Sequence, residues 1–79
     1  MSSPRDVLEY VARNLVDEPD AVRVTEDADD DMLVLRLSVA PGDVGKVIGR
    51  HGRIVRAIRA VVRAAGTKAG VHTNVEIVE

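Results

Sequence analysis

Apolar residues recur at helical spacing near the start of the chain. Five of them lie one, three or four positions apart: Val7, Leu8, Val11, Ala12 and Leu15. This spacing predicts a helix over about residues 4–16 with one apolar stripe. The Ser3 hydroxyl can cap its first turn, Pro4 suits that turn, and Asp6 lies near the positive end of the helix dipole. Tyr10 lies off the stripe, as a surface residue or, alternatively, an oligomer contact.

Alternating apolar and polar positions predict three strands. A short first strand is expected over residues 21–26, a second over the strongly apolar stretch 32–39, and a closing strand over about 71–77. The acidic run 26–31 between the first two strands predicts a solvated turn. A cation-binding loop is the alternative, but the run lacks the sixth-position glycine and the final Glu of an EF-hand loop.

Two helices are predicted between the second and third strands. Pro41 and Gly42 end the second strand, and residues 43–48 have room for about a turn and a half of helix before Gly49. A longer helix is expected from Gly52 to about Ala65.

The longer helix has an apolar face and a basic face. Apolar residues fall on one side at 100° per residue: Ile54, Val55, Ile58, Val61, Val62 and Ala65. Arginines cluster on the other side: Arg53, Arg56, Arg59 and Arg63. Gly66 and Gly70 are predicted to bracket the exit of the helix.

The resulting order is α-β-β-α-α-β. The first two strands are joined by a short turn and should pair antiparallel. The third returns after two helices and should lie parallel to the second through a right-handed crossover. We therefore expect an α+β fold, a three-stranded mixed sheet with helices on one face, formed by residues 1–79 as a single domain.

Composition narrows the class of protein. The chain has 79 residues and no cysteine, which excludes disulfides, thiolate metal sites and cysteine nucleophiles. No apolar run approaches the roughly 20 residues that a membrane span needs, and the N-terminus lacks a signal-peptide apolar region. We expect a soluble, unexported protein that self-associates or packs tightly, because a core of this size is marginal.

Charge is distributed unevenly along the chain. The net charge is −2, yet residues 1–45 have a balance of −7, residues 46–68 one of +7 and residues 69–79 one of −2. The basic segment is either a solvated helix face rich in arginine or a surface for an anionic partner. Tyr10 is the only aromatic residue, which disfavours nucleic-acid binders that stack bases on aromatic rings.

A Gly-x-x-Gly turn lies between the two predicted helices. Gly49 and Gly52 can bend the backbone tightly and let a phosphate chain approach its N–H groups. Gly pairs at this spacing are weak evidence alone, but this pair precedes the basic helix. Enzyme interpretations fail: Gly42 to Lys46 is too short for a phosphate-binding loop, and His51 and His72 have no metal-site or triad spacing.

The segments Val47-Ile48-Gly49-Arg50-His51-Gly52 and Arg53-Ile54-Val55 resemble the signature of the KH domain, whose type II form has the same element order. With the preceding segment Val39 to Lys46, the chain resembles the small bacterial single-KH proteins of the KhpA family. The resemblance implies single-stranded RNA binding, an RNA chaperone or post-transcriptional regulatory role, and a cytoplasmic location. It also implies a homodimer and pairing with a KhpB (Jag) KH protein. From the residues themselves we expect no cofactor or metal and no enzymatic activity.

The resemblance also implies roles for individual residues. Four would form the loop that clamps the RNA backbone: Gly49, Arg50, His51 and Gly52. Two flanking cations would contact phosphate: Lys46 and Arg53. Three apolar residues would line or support the base groove, with Leu35 or Leu37 as its floor: Val47, Ile48 and Val55. Three arginines match no motif position and would give electrostatic support: Arg56, Arg59 and Arg63.

A protein-interaction module is the rival hypothesis. A KH-like scaffold could serve mainly for dimerisation and bind RNA weakly or not at all. The discriminating observation is whether the basic face of the helix at 52–65 stays exposed in the oligomer.

Overall fold

Three helices and three strands follow one another in the predicted order α-β-β-α-α-β. The structure is a computed structural model and describes residues 3–78, so residues 1, 2 and 79 of the predicted domain lie outside it. The elements are α1 Pro4–Leu15, β1 Arg23–Asp29, β2 Met32–Ser38, α2 Val44–Ile48, α3 Arg53–Ala69 and β3 His72–Val78. Short 3₁₀ turns occupy Pro19–Ala21, Pro41–Asp43 and Arg50–Gly52.

Helix α1 begins where its capping residues predict. The Asp6 N–H donates to Ser3 Oγ at 3.1 Å, and the Ser3 N–H donates to Asp6 Oδ2 at 3.4 Å. This reciprocal pair is a capping box, which satisfies two donors that the helix itself leaves unpaired. The helix ends one residue earlier than expected, at Leu15.

The sheet has the order β1-β2-β3. Strands β1 and β2 pair antiparallel, with Val24 opposite Leu37, and β2 and β3 pair parallel, with Leu35 opposite Val75. Both orientations confirm the predicted strand pairing, and the parallel pair requires the long crossover that α2 and α3 provide.

The boundary predicted for the first strand was wrong. Strand β1 continues through the acidic run to Asp29, and only Asp30 and Asp31 form the turn. Acidic residues have low strand propensity, but hydrogen bonding to β2 extends β1 through them. Their side chains are exposed to solvent, and Asp27 forms an ion pair with Arg36.

One face of the sheet is covered by α1, α2 and α3. Its core consists mainly of side chains with no more than slight exposure: Leu8, Val22, Val24, Leu35, Leu37, Val47, Ile58, Val62 and Val75. On β2 and β3 the odd-numbered residues are the more buried ones, while the even-numbered side chains lie on the uncovered face. The alternation predicted from sequence therefore corresponds to a sheet with one buried face.

Helix α3 is a turn longer than predicted. It continues to Ala69, and Gly70, at φ 77°, is its C-cap. Gly66 was expected to mark the exit but lies buried inside the helix, where a Cβ would come within 2.6 Å of Thr73 Cγ2 and 2.9 Å of the Val71 carbonyl oxygen. Its role is close packing of α3 on β3.

Candidate nucleic-acid interface

The turn between α2 and α3 has an unusual backbone. Gly49 has φ 76° and ψ 170°, His51 has φ 58° and ψ 22°, and Gly52 has φ 72° and ψ 18°. The turn is closed by the Gly52 N–H, which donates to the Gly49 carbonyl at 3.1 Å. Three positive φ values within four residues direct the Arg50 and His51 side chains into solvent, where both are exposed.

The two glycines of this turn differ in what surrounds them. A Cβ on Gly49 would lie 2.6 Å from Ile54 Cγ1, whereas a Cβ on Gly52 would meet only Val55 Cγ1 at 3.8 Å. The absence of a side chain at Gly49 lets the first turn of α3 pack directly against the loop. Gly52 is required only for its left-handed backbone.

His51 adopts the left-handed region without being glycine. For such a residue this conformation costs about 1–2 kcal/mol, and strained residues of this kind cluster at ligand-binding loops. Within residues 3–78, the side chains of Arg50, His51 and Arg53 make no hydrogen bond or salt bridge. The loop thus leaves these three side chains exposed to solvent.

The N-terminus of α3 is strongly electropositive. This helix has 17 residues and no acidic residue in its first turn, where the helix dipole places partial positive charge. Arg50, Arg53 and Arg56 add cations at the same end. An anion bound here would therefore interact favourably with both the dipole and the side chains.

Lys46 is already paired with two carboxylates. Its Nζ lies 2.9 Å from Asp17 Oδ2 and 3.5 Å from Asp43 Oδ1. The hydrogen bond and charge of Asp17, followed by Asp43, raise the pKa of Lys46 despite partial desolvation. Lys46 could contact phosphate only by giving up these carboxylates.

Asp43 connects α2 to the segment after α1. Its residue surface is only 2% exposed, and its Oδ2 accepts the Glu18 N–H at 3.0 Å. Burial by itself raises the pKa of Asp43, but the N–H groups of Glu18 and Asp17 and the charge of Lys46 outweigh it and hold the pKa below its usual value. The carboxylate thus fixes the position of the short helix that enters the loop.

The three further arginines of α3 differ in their contacts. Arg56 donates to the His51 carbonyl at 3.0 Å and the Gly52 carbonyl at 3.4 Å, and Arg59 donates to the Val75 carbonyl of β3 at 3.2 Å. Arg63 is exposed and has no such partner in the described part of the chain. Sequence periodicity placed these residues on one face but gave no signal for their carbonyl partners, because those depend on loop and strand geometry.

The apolar residues predicted for the base groove are unequally accessible. Val47 is fully buried, Val55 is nearly so, and Ile48 is half-buried. Leu35 and Leu37 have no exposed surface and lie beneath the helices. Of this set, Ile48 alone offers substantial surface, while the others can only support a groove from within.

An apolar groove between α1 and α3 was not predicted. It has a volume of about 210 Å³ and is lined by Val11, Leu15, Ile54, Ala57, Ile58 and Val61. Apolar periodicity predicted core faces for all of these residues except Ala57, but Val61 is 49% exposed and Leu15 37%. The apolar stripes of α1 and α3 are together wider than one face of the sheet can cover. This width was the signal in the sequence for an exposed apolar surface.

Metal-binding clusters and membrane-spanning helices are both absent from the described residues. Across residues 3–78, no three His, Cys, Asp or Glu side chains are grouped to hold a metal ion. Within the same part of the chain, none of the helices is long and apolar enough to span a bilayer.

Fold and loop together define a class, the type II KH domain. The mixed β1-β2-β3 sheet, the three helices on one face and the Gly49–Gly52 turn between α2 and α3 are its elements. Within that class, the chain belongs to the KhpA/KhpB KH-domain family, whose model matches residues 5–77.

Curated relatives match over nearly the whole chain. An RNA-binding protein KhpA of Aquifex aeolicus is 46% identical over 79 residues, covering 100% of both chains. One of Clostridium acetobutylicum is 47% identical over 74 residues, covering 94% of this chain and 99% of the relative. One of Treponema pallidum is 42% identical over 74 residues, covering 94% of this chain and 92% of the relative.

Solved structures show the same fold at low identity. Aquifex aeolicus Era bound to GDP and AlF4⁻ matches with a TM-score of 0.65 and 20% identity over 94% of this chain and 29% of Era. Era in complex with MgGDPNP and nucleotides 1506–1542 of 16S ribosomal RNA also matches with a TM-score of 0.65 and 20% identity. This match covers 94% of this chain and 28% of Era. This chain therefore spans less than a third of each Era chain.

Proposed function

We propose that this protein is a non-catalytic, single-stranded RNA-binding module acting as one KH domain. The observation that carries the proposal is the turn at Gly49–Gly52, where exposed cations meet the positive end of α3. A KH loop of this kind binds the backbone of about four nucleotides. Curated relatives that are named RNA-binding proteins support the assignment.

Phosphates would be bound by the cations at the turn. Arg50, His51 and Arg53 are exposed and without partners in residues 3–78, so they can bind without breaking an existing contact. Lys46 is a weaker candidate, since phosphate must displace Asp17 and Asp43. Bases would lie along Ile48, with Val47 and Val55 supporting it from the core.

Modest salt dependence is expected of such a site. Each phosphate neutralised in single-stranded nucleic acid contributes a slope of about −0.7 to log K against log salt. About three to five cations are available at and around the turn, so the total slope should be roughly −2 to −3.5.

The test is a charge reversal confined to the turn. Fluorescence anisotropy of labelled single-stranded RNA would compare the parent with Arg50→Asp/His51→Asp at two salt concentrations. The parent should bind with the slope given above, and the variant should lose binding while its circular dichroism is unchanged, because both side chains are exposed.

A matched control variant separates an effect at the turn from an effect of the protein's net charge. Arg13→Asp/His72→Asp makes the same two substitutions at exposed positions on α1 and β3. It should retain most of the affinity. Equal loss in both variants, or no loss in either, would show that the turn is not the RNA-binding site.

Self-association is proposed as a second function, supported by the groove between α1 and α3. On α3 the groove residues Ile54, Ala57 and Val61 lie about opposite the arginines at 56, 59 and 63, given 100° per residue. A dimer that buries the groove would therefore leave the basic face exposed. A homodimer, or a heteromer with a KhpB-like KH protein, is compatible with RNA binding, as are a cytoplasmic location and an RNA chaperone role.

A further inference from the structure

We propose that Arg56 is a positioning residue that holds the Gly49–Gly52 loop in its RNA-binding shape, and this inference rests on the proposed function. Its guanidinium uses two different nitrogens. Nη2–H donates to the His51 carbonyl at 3.0 Å, and Nε–H donates to the Gly52 carbonyl at 3.4 Å. One side chain thus joins two successive carbonyls where the backbone is left-handed.

The loop needs such a support. His51 has φ 58° without being glycine, so its backbone would relax towards a commoner conformation unless its surroundings prevent it. Two backbone hydrogen bonds close the turn, from the Gly52 N–H to the Gly49 carbonyl and from the Arg53 N–H to the Arg50 carbonyl. The contacts of Arg56 add two side-chain hydrogen bonds that join this turn to the first turn of α3.

The position of Arg56 also argues for a local role. A cation in the first turn of a helix is unfavourable to the dipole, and α3 has no acid there to compensate. The two carbonyl oxygens supply that compensation. A guanidinium has donors in a fixed planar fork that reaches two acceptors, whereas a lysine ammonium acts as a single point charge.

Direct phosphate binding by Arg56 makes different predictions. A phosphate contact would be largely preserved in Arg56→Lys, and its removal in Arg56→Gln would reduce the salt slope by about 0.7. A positioning role requires that both variants weaken binding, by about tenfold for the loss of hydrogen bonds worth roughly 1.4 kcal/mol, with the salt slope unchanged.

The first measurement needs no RNA. Amide hydrogen exchange by NMR would follow the Gly52 and Arg53 N–H groups in the parent, Arg56→Lys and Arg56→Gln. Exchange at these two amides should be about tenfold faster in both variants, because the turn opens more often. The Val62 amide in the middle of α3 reports whether the helix stays folded, and it should not change.

Arg63→Lys and Arg63→Gln are the matched controls. Arg63 lies on the same face of α3 and is exposed, without a hydrogen-bond or ion-pair partner in residues 3–78. Its variants change charge and side-chain length identically, and they should leave the Gly52 and Arg53 exchange rates at the parent values.

RNA anisotropy at two salt concentrations completes the test. Weaker binding by Arg56→Lys at an unchanged slope supports the proposal. Parent-like binding by Arg56→Lys, or unchanged loop exchange in both Arg56 variants, overturns it. If the parent itself does not bind RNA, the proposed function fails, and the exchange rates alone decide whether Arg56 holds the loop.

Discussion

At the scale of single residues, the two loop glycines, Gly49 and Gly52, have different structural roles. Gly49 combines φ 76° with ψ 170°, a region that is essentially restricted to glycine, and Ile54 occupies the space a side chain would need. Gly52 has a left-handed conformation that other residues can adopt at a cost, and a Cβ there would make only an ordinary contact with Val55 Cγ1 at 3.8 Å.

Alanine at the two positions should therefore have unequal effects. Gly52→Ala should lower the free energy of unfolding by about 1–2 kcal/mol, the cost of a left-handed L-residue. Gly49→Ala adds steric overlap to backbone strain and should lower it by about 3 kcal/mol or more. Urea unfolding followed by circular dichroism measures both.

Gly45→Ala provides the control for the glycine variants. Gly45 lies in α2, and a Cβ at this position would meet nothing within 4 Å, so alanine there should raise stability by about 0.5–1 kcal/mol. Equal destabilisation by Gly49→Ala and Gly52→Ala would contradict the role given to Ile54.

At the scale of elements, α2 depends on its anchors. It has five residues, too few to be stable as an isolated helix. Asp43 ties its start to the Glu18 backbone, and Lys46 ties it to Asp17. The loop is therefore positioned by contacts with the segment after α1, as well as by its own glycines.

Acid should weaken the Asp43 anchor. The pKa of Asp43 is lower in the folded protein than in the unfolded chain. The ionised carboxylate therefore stabilises the fold fully at a pH above the unfolded pKa, and this stabilisation is lost as the pH falls through the folded pKa. Asp43→Asn should lower the urea midpoint at pH 6, and the difference from the parent should shrink as pH falls to about 3.

Asp31→Asn tests whether this pH effect is specific. Asp31 is exposed in the turn between β1 and β2. Its variant should stay close to the parent at both pH values. A constant difference between parent and Asp43→Asn across the pH range would show that ionisation of Asp43 does not stabilise the fold.

At the scale of the whole molecule, α3 has three functional sides. One packs in the core, a second lines the apolar groove with α1, and a third carries Arg56, Arg59 and Arg63. Under the proposed function, this division would let a single helix serve the fold, self-association and RNA binding without competition for the same surface.

A charge placed in the groove should prevent self-association. Val61→Glu puts a carboxylate where a second copy would bury an apolar surface, and an unpaired buried charge is costly. Analytical ultracentrifugation should find a dimer for the parent and a monomer for the variant, whose fold should persist because Val61 is half exposed.

The comparison variant is Val78→Glu, which makes the same change on the uncovered face of β3, at a comparably exposed valine. It should remain dimeric. A dimeric Val61→Glu, or a monomeric parent, would rule out the groove as the surface of self-association.

Much of the architecture was predictable because it follows from local patterns. Apolar spacing and capping residues placed α1, alternation placed β2 and β3, and the spacing of Gly49 and Gly52 located the loop. The extent of β1 and α3 was not predictable. Strand pairing extends β1 through acidic residues, and packing on Thr73 keeps Gly66 inside α3.

The sequence by itself determined the order of elements, the segregation of charge and the position of the glycine turn, because each depends on residues close together in the chain. Only the tertiary structure decided what the cations face. Lys46 is paired with Asp17, 29 residues away, Arg59 reaches β3, and Arg56 turns back onto the loop. The contacts of Lys46 and Arg59 depend on distances between elements, and those of Arg56 depend on the left-handed backbone of the loop, neither of which the pattern of residue types contains.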